Sequence, residues 1–130
     1  MAYLEERFDI LEEVLKTWSE ALEVEYNDLS RDAAIHRFEH TFEVLWKVME
    51  VFLEEMEGIK CVSPKSCFRK SRNVLELSDE EIETCLKMTK DRNISTYAYS
   101  EEMAKSLYDK LEDYYKVSLK VAKQIKDRVE

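Results

Sequence analysis

Gly58 is the only glycine and Pro64 the only proline in 130 residues. Glycine interrupts regular structure through backbone entropy, and proline through its missing N–H and fixed ring. With both confined to one short region, two long stretches have nothing to break a helix. The apolar residues use that freedom at helical spacing. Leu4, Phe8, Leu11, Leu15, Trp18 and Leu22 alternate steps of four and three, which makes one helix face. Ile35, Phe38, Phe42, Leu45, Met49, Phe52 and Met56 repeat the pattern in a second segment. The first helix is expected to end near Asn27, with Ser30 capping the second and Gly58 closing it.

Further caps divide the rest. Ser63-Pro64 reads as an N-cap followed by proline at the first helical position, opening a short helix through about Arg72. Ser78 with Glu81 forms a capping box for a helix toward Lys90, with Ile82, Cys85, Leu86 and Met88 or Thr89 on its apolar side. The stretch RNISTYAY at 92–99 interrupts this pattern. Ser100, followed by Glu101 and Glu102, starts a last long helix whose inner face is Ala104, Leu107, Leu111, Tyr114, Val121 and Ile125. No repeat and no strand-length alternation appears. The expected fold is all-α, with three long helices and two short ones. It is an up-and-down four-helix bundle with one or two additional short helices, as a single domain over 1–130. Trp18, Trp46 and the five phenylalanines are expected in or against the core.

Charge limits the partners. The chain carries 20 basic and 29 acidic side chains, a net −9. That opposes tight non-specific binding to a polyanion, whose affinity comes from neutralised phosphates. The segment 58–75 reverses the sign locally, with Lys60, Lys65, Arg69, Lys70 and Arg72 and no acid. Cys61, Cys67 and Cys85 are odd in number and lack zinc-type spacing, so reduced thiols of a cytosolic protein are expected. No apolar run approaches the ~20 residues of a membrane span. The N-terminus has acids where a secretion signal has basic residues. A cytoplasmic chain with no membrane partner is the expectation.

Four groups of residues carry chemistry. Lys65, Arg69 and Arg72, beside the free N–H groups at the Ser63 helix start, can hold a phosphate or pair with a partner's acids. His36 and His40 have the i, i+4 spacing of metal ligands, but no third histidine exists and both lie off the Phe38/Phe42 stripe. Two exposed histidines and no metal are expected. Glu39, Glu43 and Lys47 form an i, i+4, i+8 row, which either pairs on the surface or faces and orients Arg92. In RNISTYAY, Arg92 and Asn93 suit a phosphate or a base edge, and Tyr97 and Tyr99 offer rings and hydroxyls. Helix ends also use Arg and Asn to satisfy terminal carbonyls.

Three pieces in order, RFEHTFEVLWK at 37–47, SPKSCFR at 63–69 and DRNISTYAYSEE at 91–102, resemble the nucleotidyltransferase substrate-binding family of the HEPN superfamily. The resemblance runs from about Arg31 to about Tyr115. It implies a four-helix bundle, a homodimer and a complex with a minimal nucleotidyltransferase. It also implies no cofactor, with a nucleotide or RNA as a further ligand. Many such pairs are toxin and antitoxin, in which a metal-independent ribonuclease is silenced by AMP placed on a tyrosine. The motif there is R-x4-H-x-Y. Carried over, its arginine is Arg92, the polar residue after it is Asn93 and the modified tyrosine is Tyr99. The histidine position holds Tyr97. Tyrosine, with a pKa near ~10, is a poor base at neutral pH, whereas histidine near ~6.5 exchanges protons there. The resemblance therefore implies a binding subunit first. The alternative is a ribonuclease with altered chemistry, in which Arg92, Asn93 and Tyr97 are catalytic.

Overall fold

Each helix boundary is a local agreement between a cap and the backbone it satisfies. The computed structural model describes residues 2–97 and 100–130, and the side chains of 3–94 and 100–130. The helices are α1 (Ala2–Glu23), α2 (Asp28–Glu57), α3 (Pro64–Val74), α4 (Asp79–Tyr97) and α5 (Glu101–Val129). Gly58 sits at φ 67°, the left-handed conformation that a side chain disfavours, and its N–H reaches back to the Glu54 carbonyl. Ser63 and Ser100 cap α3 and α5. At the start of α4, the Ser78 N–H donates to Glu81 Oε1 at 2.8 Å and the Glu81 N–H donates to Ser78 Oγ at 3.0 Å.

Four expectations are corrected. α1 ends at Glu23, not near Asn27, because residues 24–27 make the connection that returns the chain as α2. Asn27, not Ser30, caps α2. Its side chain accepts from the Ser30 N–H while the Asn27 N–H donates to Ser30 Oγ, each at 2.9 Å. Asn and Ser are equally good N-caps, and here Ser30 supplies the reciprocal half of a capping box. α4 does not stop near Lys90 but continues to Tyr97, so four helices are long and one is short. Its polar extension is held by neighbours on α2 and α5, as shown below. Finally, Cys61 and Cys67 form a disulfide, their Cα atoms 5.2 Å apart, in place of the reduced thiols expected from sequence. The chain bends between the two cysteines, where the extended Ser63 leads into α3, and the first turn of α3 brings Cys67 back beside Cys61. Cys85 remains a free, buried thiol, pushed up to about 12 by that burial and by the nearby Glu81 charge.

One connected core joins the helices. Its centre is aromatic: the Trp18 ring of α1 lies 5.7 Å from Phe38 of α2, which stacks on Tyr114 of α5 at 5.7 Å. Phe42 of α2 meets Phe68 of α3 at 6.0 Å, which seats α3 on the bundle. Each such pair adds about 0.5–1.5 kcal/mol beyond area burial. Phe8 and Trp46 pack at the core's margin. α1 and α5 run antiparallel, since Tyr26 meets Tyr108 at one end and Glu12 pairs with Lys126 towards the other. The side chain of Arg31 on α2 reaches Glu101 on α5 at 3.3 Å, so these helices start at the same end, as up-and-down order requires. The open carbonyls ending α3 are closed by α5: Gln124 donates to Leu75 at 2.9 Å and Arg128 to Val74 at 2.5 Å. Among the described residues no helix is long and apolar enough to cross a membrane.

Candidate functional site at the end of α4

The last turns of α4 are polar, yet they are held from both sides. Facing α5, Asp91 accepts a hydrogen bond from the Tyr114 hydroxyl and pairs with Lys110 at 3.3 Å. Burial, then the Asp91 carboxylate, pushes the Tyr114 phenol well above its ordinary range. Facing α2, the Arg92 guanidinium meets Glu43 at 3.5 Å and Glu39 at 3.9 Å. Glu43 also accepts from the Trp46 indole N–H at 3.2 Å. Adjacent residues of α4 thus grip two different helices.

The Arg92 side chain is 21% exposed and that of Glu39 24%, so the cluster is partly withdrawn from water. A guanidinium between two carboxylates has a fixed plane and few accessible orientations. Three residues picked from sequence, Glu39, Glu43 and Arg92, therefore meet in space. Lys47 does not join them. Its ammonium lies over the Trp46 ring, 4.5 Å from the centroid. Asn93 is exposed on the outer side of α4. Tyr97 ends α4, with its side chain outside the described residues, and Tyr99 lies outside them altogether.

The basic residues of α3 are disposed differently. Lys65 and Arg69 are exposed, while Arg72 turns to the Asp79 carboxylate at the start of α4. Lys70 donates to the Lys60 carbonyl at 2.7 Å, which holds the loop before α3. Part of the local positive charge is therefore used within the fold, while the side chains of Lys60, Lys65 and Arg69 face solvent. His36 and His40 are exposed, and no cluster of three or more metal-ligating side chains occurs among the described residues.

Sequence reasoning misses two residues. Asp91 directly precedes Arg92, but only the fold shows that it engages Tyr114, 23 residues away. Arg31 is buried and pairs with Asp28, Asp32 and Glu101 at 3.5, 3.0 and 3.3 Å. The bond to Asp32 raises its guanidinium above the ordinary arginine value. Its sequence signal, an arginine between two acids at the start of a helix, is too common to single out.

This arrangement can orient a cation beside an anionic ligand and hold a helix end in place. A comparison with curated proteins returned no match. A crystal structure of a protein from Thermus thermophilus superposes with a TM-score of 0.83 and 37% identity, over 88% of this chain and 98% of that one. The sequence model of the family described as nucleotidyltransferase substrate binding protein like matches residues 4–127. The chain therefore belongs to the nucleotidyltransferase substrate-binding protein-like family.

Proposed function

We propose that this chain is the substrate- or nucleotide-binding subunit of a two-component HEPN–minimal nucleotidyltransferase system, related to toxin–antitoxin pairs. It works as a homodimer in the cytoplasm, and Tyr99 is the residue it presents for modification. The observation that carries this reading is the Arg92 cluster. An arginine oriented by Glu39 and Glu43 stands five residues before Tyr97 and seven before Tyr99 in the sequence. Two carboxylates around one guanidinium leave the cluster net negative. That disfavours an RNA strand and favours a protein whose own cations complete the site. In the reaction, the Tyr99 phenol oxygen attacks the α-phosphorus of ATP held by the partner. A P–O bond forms, pyrophosphate leaves, and the phenol proton passes to solvent or to a base of the nucleotidyltransferase.

Native mass spectrometry of the protein captured from its own cells, followed by peptide mapping, tests this reading. A co-captured nucleotidyltransferase and AMP-sized increments on the peptide containing Tyr99 are expected. A bare chain with unmodified Tyr99 refutes the modification, and Lys65 and Arg69 then become the place to seek a ligand. RNA cleavage by wild type, abolished by Arg92→Ala, would make the protein a ribonuclease instead.

A further inference from the structure

One end of the bundle gathers exposed apolar surface inside a ring of acids. The connection between α1 and α2 exposes Val24, Tyr26 and Leu29, the last 83% accessible. Val24 and Leu29 line the same groove, of about 440 Å³, with Ala21 and Ala33 beside them. Tyr26 leans on Tyr108 of α5 at 5.0 Å, and Met103 is exposed in the first turn of α5. The Arg31–Glu101 pair ties the starts of α2 and α5 together, so these apolar residues belong to one end. Around them stand Glu23 and Glu25, then Asp28 and Asp32 on α2, then Glu101 and Glu102 on α5, all exposed. Arg31 is buried and spent on three of those carboxylates, and Arg37, which lines the groove beside Glu20, is half-buried and donates to the Thr17 carbonyl at 2.7 Å.

We infer that this end, centred on Val24, Tyr26 and Leu29, is the docking surface for a protein partner that presents apolar side chains ringed by lysine and arginine. Charge selects the occupant. A second copy would bring acid against acid, and a nucleic acid would bring phosphate against acid. A partner with basic rims gains on both counts, and its encounter rate rises as well. Ser100 caps α5 at this end, and Tyr99 is its neighbour in sequence. A partner seated here is thus led to the residue that the proposed function has it modify. In that respect the inference rests on that reading, with the nucleotidyltransferase as occupant. A stable interface needs roughly 800 Å² from each partner, so the contact must extend beyond the groove over the first turns of α2 and α5.

The test uses the full chain with the minimal nucleotidyltransferase of the same genome, and measures affinity by titration calorimetry at several salt concentrations. Wild type is compared with Val24→Lys/Leu29→Lys and with Val62→Lys. Val62 is 88% exposed in the loop beyond the C-terminal end of α2 and serves as the control. All three positions face water, so each variant should fold, as circular dichroism would verify. The expected result is at least about ten-fold weaker binding for the double variant, no change for Val62→Lys, and wild-type binding that weakens with salt. Equal binding by wild type and the double variant, or binding indifferent to salt, overturns the surface while leaving the partner intact. No binding by wild type removes the partner itself, and the docking surface with it. Self-association lost in the double variant assigns this end to a second copy and also overturns the inference.

Discussion

Reducing the Cys61–Cys67 disulfide should lower the melting temperature by about 8 °C. The bond closes a loop with a sequence separation of 6. Closing a loop of that size removes about 7.4 cal/mol/K from the unfolded chain, or about 2.2 kcal/mol at 25 °C. Unfolding entropy near about 2.1 cal/mol/K per residue gives about 270 cal/mol/K for the whole chain, which converts the loss to about 8 °C. Both sulfurs are buried, so reduction leaves two small apolar thiols in place and introduces no unpaired charge. The assay is thermal unfolding by circular dichroism with and without reductant, repeated on Cys61→Ala/Cys67→Ala. Alkylation with mass spectrometry gives an independent count. Denatured but unreduced protein should take one label, at Cys85, and reduced protein three. Native protein should take none quickly, because burial keeps the Cys85 thiol protonated. Melts within about 2 °C of each other, or three labels without reductant, would refute the reasoning and restore the reduced state expected of a cytosolic chain.

Phe38→Ala should destabilise by about 3–5 kcal/mol, read from the urea midpoint, because Phe38 is fully buried between Trp18 and Tyr114. Asp91→Ala should cost about 1–3 kcal/mol by leaving the buried Tyr114 hydroxyl without its acceptor. It should also speed amide hydrogen exchange in the last turns of α4, and unchanged exchange there would show that Asp91 does not hold them. Glu81→Gln keeps the capping box but loses the ion pair to Lys120 at 2.8 Å. The bond from Lys120, then that from Ser78, lowers the Glu81 carboxyl below its ordinary value of 4.5. A depressed folded value means the stabilisation is present above that ordinary value and is lost as pH falls through the folded one. The stability gap between wild type and Glu81→Gln should therefore be open at pH 7 and close in acid. A gap constant with pH would show that charge is not its origin.

Local chemistry determined much of this protein before any fold was known. The caps at Gly58, Ser63, Ser78 and Ser100 are readable because each acts on backbone only a few residues away. The inner face from Ala104 to Ile125 is readable because helical periodicity needs no partner to be seen, and every member of it is buried. The misplaced features share the opposite property. α4 runs on to Tyr97 because Asp91 and Arg92 find partners on α5 and α2, and nothing near residue 91 announces them. The Asn27 cap shows a smaller version of the problem, since two good capping residues stand close together and spacing does not rank them. The Cys61–Cys67 bond is an exception, closed locally by the extended Ser63 and the first turn of α3 and hidden by the odd number of cysteines. In the candidate site, sequence supplied the members Arg92, Glu39 and Glu43, and only packing of α4 against α2 decided that they meet. The burial of Arg31 between α2 and α5, and the acidic, apolar end it organises, belong wholly to tertiary structure. Helix formation answers to neighbours within one turn, whereas ion pairs and exposed patches depend on which helices the core draws together.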